Sequence, residues 1–367
     1  METFMSDTAN AVESAVAVAK SSFARIDLDR LALFLGKVFR ADVTITGTGA
    51  GSEQSGSSSG ILVFTANIDR AGLRETKRLV LRYDPQTENR IFFEYDLKSQ
   101  YDVLERLSGT GLPIPAVYGL DATGKDLGVA GFVMACIDGD TIPTSLFGSG
   151  LLVDASDDER NTLYLNILKA LQSIHALDHV ALGLGDFVKD AAGDTAQERL
   201  INWWWKTWDW AEPKDADRLV PIRQWLLANA PIEESPVLMH GDPNLGNYLL
   251  RDGEVSAILD WELSSIGSPE LDLAIQVLSM EAHLPFAEHL PVIPPTQAEW
   301  LALYAQVGGR PLRHFEYFRV QAAYQIIICL GSMCTYLPDD VVAQYEAMAE
   351  FYWTIAETGV AGTGAPS

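Results

Sequence analysis

The sequence predicts an α+β protein: an antiparallel sheet carrying one helix up to residue 137, followed by a mainly helical remainder. Three observations predict it. Before residue 137, short β-branched and aromatic runs alternate with Gly, Pro and Asp, which is how strands joined by turns read. Beyond "DGD" at 138–140 the apolar period becomes helical, with stripes over 158–178, 196–211, 216–229, 269–283, 297–306 and 313–335. Inside that helical part, "LMHGDPNLGNYLLRDGEVSAILDW" at 238–261 reads as a short strand, a polar loop and a β-hairpin.

Composition narrows the functional class. The chain has 367 residues, more than the ~250–300 that one core usually serves, so two substructures are expected. Hydrophobic residues at 48% against 21% charged give the balance of a folded protein. With 26 Lys and Arg against 50 Asp and Glu, the formal net charge of −24 repels a phosphate backbone, which argues against a nucleic-acid partner. An acidic surface serves solubility in many proteins and does not choose a substrate. Cys136, Cys329 and Cys334 form no CxxC pair and cannot all pair within one chain, so they read as buried fillers in a reducing compartment. There is no basic N-terminal region before an apolar run, and the best apolar stretch, "YQIIICLGSMCTYL", is broken by Gly331 and Ser332. The expectation is a cytoplasmic, enzyme-sized protein with no membrane partner. Oligomeric state is not readable.

Taken in order, residues 1–24 form an N-terminal extension, 25–137 the sheet region, 138–358 the helical region and 359–367 a disordered tail. Apolar residues at 28, 31, 34, 35 and 38 make a helical stripe behind the N-cap candidate Asp27. "DVTITG", "ILVFTANI" and, after a charged turn, "TKRLVLRYDP" are strands, the first two flanking a Gly/Ser loop. "YDLKSQYDVLERLSGTGLPIP" is a helix stopped at Gly109 with Pro113 beyond, and "AVYGLDA" and "GVAGFVMACI" complete five strands.

Two loops carry candidate chemistry. "GTGAG" and "GSSSG" within residues 47–60 formally fit a dinucleotide loop or a nucleophile elbow, yet both require a helix next, and "ILVFTANI" is a strand. A plain hairpin loop, or one whose backbone N–H groups cover phosphates, both remain open. In the second loop a turn at Asp252-Gly253 sets Leu250 opposite Val255, Tyr248 opposite Ala257 and Asn247 opposite Ile258. Asn247 and Asp260 then meet at the hairpin's open end beside Asp242. An amide oxygen and a carboxylate are a sufficient protein share for Mg²⁺, which keeps phosphate oxygens in its shell. A further carboxylate off the metal orients, or takes a proton from, an attacking hydroxyl. An Asx turn or a cap explains any one of these residues, but not the three at this spacing. A metallophosphatase is disfavoured by the short GD to GN separation and the lack of downstream ligand histidines, and no zinc spacing occurs.

"HGDPNLGN" followed by "ILDWE" resembles the catalytic and metal motifs of the aminoglycoside phosphotransferase and choline kinase-like family, which shares the protein-kinase architecture. The resemblance extends in order through "LVLRYDP", "QYDVLERL", "LPIPAVYGL", "FVMACIDG" and "SPELDLA", over residues 25 to 355. It is closest to the branch related to kinase-like domains fused to acyl-CoA dehydrogenases. The resemblance implies a two-lobed kinase-like fold with the active site in the cleft between lobes. It implies Asp242 as catalytic base, Asn247 and Asp260 as Mg²⁺ ligands, and Met134 to Ile137, Cys136 included, as the hinge against adenine. Ser57, Ser58, Ser59 and Gly60 would cover the phosphates. His240 would orient the catalytic loop, and Asp272 would buttress it, a capping role early in a helix being the alternative. His175 reads as structural. Arg82 stands where the family has a phosphate-reaching Lys, and Gln100 where it has the paired Glu, with Glu94 as a substitute anion. Arg keeps the charge but not the point-charge geometry of an ammonium.

Five tryptophans, Trp203, Trp204, Trp205, Trp208 and Trp210, share one helical segment, and adjacent indoles face different ways. Most should pack between helices, with Trp204 or Trp208, and Glu262 beside the metal motif, as substrate contacts. The resulting expectation is transfer of a phosphoryl group from ATP, GTP staying open, with Mg²⁺, to a hydroxyl of a small molecule, the branch resemblance leaning towards a hydroxylated, acyl-type metabolite. A nucleotide-binding regulator of the same fold is the alternative, motivated by Arg82 and Gln100.

Overall fold

The computed structural model describes residues 25–48, 59–143, 145–232 and 235–362. The N-terminal extension, Ser57 and Ser58 with most of the Gly/Ser loop, and residues 363–367 lie outside that range. The chain divides into two compact units, residues up to 110 with 114–137, and residues 111–113 with 138 onward.

The first unit begins with α1 (Leu28–Phe39), whose orphan N-terminal donors are taken by the Asp27 side chain from Asp29 N and Arg30 N. Five antiparallel strands follow: β1 (Asp42–Ile45), β2 (Gly60–Arg70), β3 (Leu73–Tyr83), β4 (Val117–Asp121) and β5 (Gly131–Ala135), ordered β1-β2-β3-β5-β4. Between β3 and β4 runs α2 (Leu97–Leu107), capped by Asp96 on Ser99 N. The expected charged turn before "TKRLVL" is shorter than predicted. β2 and β3 pair without interruption from Gly60↔Tyr83 to Arg70↔Leu73, because Ala71 (φ 53°) and Gly72 (φ 88°) both adopt left-handed geometry and close a two-residue hairpin.

Alternation on β2 puts Leu62, Phe64, Ala66 and Ile68 on one buried face, where they meet Leu79, Leu81 and Val133 of the sheet. Leu31, Phe34 and Leu35 of α1 complete this core. The helix is also tied at its flank. Arg30 donates from Nε to Asp126 O at 2.9 Å, within a loop that Asp121 organises by accepting Asp126 N at 2.7 Å and Leu127 N at 2.8 Å.

The second unit contains β6 (Asp140–Thr141), α3 (Leu151–Asp154), α4 (Asp157–His175), α5 (Ala196–Ala211), α6 (Ala216–Ala228), β7 (Val237–Met239), β8 (Tyr248–Arg251), β9 (Glu254–Ile258), β10 (Ser265–Gly267), α7 (Pro269–Glu281), α8 (Gln297–Gln306), α9 (Phe315–Cys334) and α10 (Asp339–Gly362). Capping boxes start α4, α5 and α8 at Ser156, Thr195 and Thr296. Among the described residues no helix is long and apolar enough to cross a membrane.

Two expectations are corrected here. The tail from 359 was expected to be disordered, yet residues 359–362 end α10, a helix no apolar stripe had announced. Its stability is tertiary: Arg218 of α6 bonds Glu350 and Glu357 and lies 4.4 Å from the centre of the Trp353 ring. A Cβ on Gly359 would stand 2.3 Å from Val320 Cγ2, so the glycine is what lets α10 approach α9. The second correction concerns the tryptophans. Trp204 and Trp208, expected to touch substrate, are 2% and 4% exposed and belong to the core. Trp208 packs against Gly331 of α9, while Trp204 meets Trp203 edge to face at 5.3 Å. It is Trp210 that remains 44% exposed.

Truncation of Leu35 to Ala removes a fully buried side chain from the α1–sheet core. It should destabilise the first unit by about 2–5 kcal/mol, read as a lower denaturant midpoint at unchanged slope.

Candidate active site

The polar loop begins where β7 ends. His240 is fully buried. Its Nε2 lies 2.8 Å from Leu259 O and its Nδ1 accepts Asp242 N at 3.3 Å, so Nε2 carries the proton. The ring sits between Trp261, centroids 4.9 Å apart, and Tyr248, 6.5 Å apart. Gly241 has φ +85°, and a Cβ there would lie 2.2 Å from Leu263 O, so no other residue fits without displacing backbone.

α7 supplies the floor of the loop through residues spaced i, i+4 and i+7, which lie on one helix face. Asp272, with no exposure, accepts His240 N at 2.8 Å and Gly241 N at 2.9 Å, and meets His175 Nε2 at 2.9 Å. Gln276 donates to Pro243 O at 2.9 Å and accepts Trp300 Nε1 at 3.1 Å. Ser279 Oγ lies 2.7 Å from Asn244 Oδ1. Asp272 was anticipated in this role. Gln276, Ser279 and Asn244 were missed, although the helical spacing of Gln276 and Ser279 behind "SPELD" was a usable signal.

Asp242 is partly exposed, and both of its carboxylate oxygens are engaged. Oδ1 accepts Asn244 Nδ2, and Oδ2 accepts Asn247 Nδ2 at 3.0 Å; the same Nδ2 also donates to Asp242 O at 2.8 Å. Asn247's amide nitrogen is thereby committed, and Oδ1 is the end that can face a cation. The hairpin register differs by one from the expectation. Leu250↔Val255 holds, but Leu249 pairs with Ala257 and Tyr248 with Ile258. Ser256 bulges out of the ladder, its Oγ donating to Asp138 O at 3.0 Å. Asn247 therefore lies opposite Leu259, whose N donates to Asn247 O at 2.8 Å, and Asp260 follows immediately in left-handed geometry (φ 63°, ψ 65°).

Burial, and next the charge of Asp260, push the Asp242 carboxyl above the usual carboxylate range; His240 and the amides of Asn247 and Asn244 oppose the shift. A carboxylate that feels the charge of a second one, beside an amide oxygen, makes a donor set that a hard divalent cation neutralises. Among the described residues no group of three or more His, Cys, Asp and Glu could hold a metal. The set suits an ion whose other ligands are water and phosphate, as Mg²⁺ requires, with Asn247 and Asp260 as the residues that would hold it.

Glu262 is partly exposed and receives Lys189 Nζ on its backbone O at 3.0 Å. Cys329 of α9 shares this acidic neighbourhood: burial and then the charges of Asp242 and Glu262 push its thiol up. Cys136, Cys329 and Cys334 form no disulfide and each is intermediate in overall exposure.

In the first unit, Ser59 is buried and Gly60 opens β2 opposite Tyr83. Arg82 pairs with Ile61 and Phe132 and is 5% exposed, while Gln100 on α2 is 3% exposed. Met134 pairs with Val80 and Val117, and Cys136 N donates to Arg78 O at 3.1 Å. Glu94 is exposed ahead of α2.

Comparisons with known proteins bear on the fold and the family. Acyl-CoA dehydrogenase family member 10 of Mus musculus is 26% identical over 304 residues; the match takes in 76% of this chain and 27% of that protein, so the chain spans about a quarter of the relative's length. A crystal structure from Ralstonia eutropha JMP134, named as a candidate aminoglycoside phosphotransferase, superposes with a TM-score of 0.65 at 22% identity over 91% of this chain and 99% of that one. A thermostable mutant of aminoglycoside phosphotransferase APH(4)-Ia, in ternary complex with AMP-PNP and hygromycin B, gives a TM-score of 0.52 at 15% identity over 92% and 99%. These likenesses show a kinase-like α+β fold. Residues 69–324 match the sequence model of the phosphotransferase enzyme family, and the chain belongs to that family.

Proposed function

We propose that the chain transfers the γ-phosphoryl group of ATP to a hydroxyl of a small molecule. The observation that carries this reading is the Asp242 carboxylate, clamped by the amides of Asn244 and Asn247 at the end of the hairpin that also presents Asp260. In the proposed step the acceptor oxygen forms a bond to the γ-phosphorus, the bond from that phosphorus to the β–γ bridging oxygen breaks, and the acceptor's proton passes to Asp242. Mg²⁺ held by Asn247 and Asp260 would neutralise charge on the phosphates when bound. His240, Gly241 and Asp272 keep the loop in register. Ser59, Gly60, Arg82 and Gln100 are assigned to the phosphates, and Met134 with Cys136 to the adenine.

The acceptor class we propose is a hydroxylated acyl-type metabolite rather than an aminoglycoside. Its support is that a curated relative bears an acyl-CoA dehydrogenase name. A second reading, a nucleotide-binding regulator without efficient transfer, is favoured by Arg82 and Gln100, which replace a Lys and Glu pair in a buried setting.

The test is Mg²⁺-dependent ATP consumption against aminoglycosides, choline, sugars and hydroxyacyl-CoA compounds, with the product mass checked. Asp242→Ala should lower turnover ~10²–10⁴-fold. Equal rates would remove Asp242 from the step, and tight ATP binding without product from any acceptor would favour the regulator. Asp260→Ala should raise the Mg²⁺ concentration for half-maximal turnover at least ~10-fold; an unchanged requirement would put the metal elsewhere.

A further inference from the structure

The two amides on Asp242 are held in different ways. Asn247 is anchored through its own hairpin and returns a second hydrogen bond to Asp242 O at 2.8 Å. Asn244 has no such ladder. Apart from Asp242 itself, its side chain is met by Ser279, whose Oγ lies 2.7 Å from Asn244 Oδ1 and 2.8 Å from Ile275 O.

An amide is polar end to end, since its oxygen only accepts and its nitrogen only donates. Oxygen can approach oxygen at 2.7 Å only with a proton between them, and the Ser279 hydroxyl supplies it. The serine therefore decides which end of Asn244 faces α7. With Oδ1 on Ser279, Nδ2 must point the other way, where it meets Asp242 Oδ1. Were the amide to turn over, its oxygen would face a carboxylate oxygen and the clamp would become a repulsion. The Ile275 carbonyl, 2.8 Å from the same hydroxyl, is the other acceptor within its reach.

We infer that Ser279 and Asn244 are positioning residues for Asp242: Ser279 orients the Asn244 amide, and Asn244 with Asn247 fixes the plane of the carboxylate. The catalytic consequence rests on the function proposed above; the hydrogen-bonded chain does not. Ser279 touches Asn244, and Asn244 touches the carboxylate rather than the substrate or nucleotide; both are neutral, so the chain acts by orientation rather than by charge. Ser279 is one further turn along the face that carries Asp272 and Gln276, so the element that seats the loop backbone also aims its key side chain.

The experiment compares the full-length protein with Ser279→Ala, Ser279→Thr and Asn244→Ala. One readout is the ¹⁵N side-chain amide spectrum, with Asn244→Ala assigning the resonance. The other is the kcat and KM for MgATP turnover. Ser279→Ala should remove the protected Asn244 amide signal and lower kcat roughly 10- to 100-fold, with KM for ATP within about twofold of the parent, and Ser279→Thr should restore both. An unchanged Asn244 signal in Ser279→Ala would overturn the inference, as would a joint loss of kcat and ATP affinity that Thr does not rescue. If Asp242→Ala turns over ATP like the parent while Ser279→Ala still frees Asn244, the proposed function fails and the orienting chain stands.

Discussion

A single buried carboxylate holds the candidate site together. Asp272 has no solvent exposure, and an ionised carboxyl in that position is tolerable only when its oxygens are hydrogen-bonded. The backbone N–H groups of His240 and Gly241 and the imidazole of His175 meet that demand. The dependence runs both ways. The loop can turn sharply at Gly241 because its freed amides have an acceptor beneath them, and the carboxyl can remain buried because the loop turns there. His175 in turn meets Tyr304 at 3.3 Å, so the packing of α4 and α8 reaches the loop through two side chains.

The same logic extends along α7. Asp272, Gln276 and Ser279 bond the loop from one face, while Leu273, Ala274, Val277 and Leu278 are buried around the rest of the helix. A flexible connection would scatter the orientations of Asp242; a helix fixed on both sides restricts them. Pre-organised side chains of this kind are what group transfer requires, because little covalent chemistry is left for the protein to perform. The hairpin adds the second constraint. Ser256 leaves the ladder, the strands pair one register later, and Asp260 emerges in left-handed geometry, which costs a residue other than glycine about 1–2 kcal/mol. That cost is met where Asp260 is set beside Asp242 despite their repulsion.

The first unit departs from its family in a different way. By the resemblance read from the sequence, a guanidinium on β3 and a neutral amide on α2 stand where the family has Lys and Glu, and both are buried. Arg presents a planar fork and is always charged, so in the proposed function phosphate binding and phosphate transfer would be separable properties at this position. Membership of the phosphotransferase family therefore settles the architecture and leaves the acceptor to chemistry at the site.

Local patterns were sufficient for much of the molecule. Periods of two and about 3.6 marked the strands and most helices, Asp27 announced α1, and Asp252-Gly253 located the hairpin turn, because these depend on neighbours in the chain. The residue types at 242, 247 and 260 were enough to single out that loop and hairpin before any contact was known. The remaining features needed contacts distant in sequence. α10 packs on Arg218 and Val320, Trp208 packs against Gly331 of α9, and a bulge at Ser256, whose Oγ reaches Asp138 O, accompanies the one-residue shift of the hairpin. Asn244, Gln276 and Ser279 are unremarkable as letters. They acquire a role only when α7 brings them under the loop, since a hydrogen bond has direction and a sequence position does not.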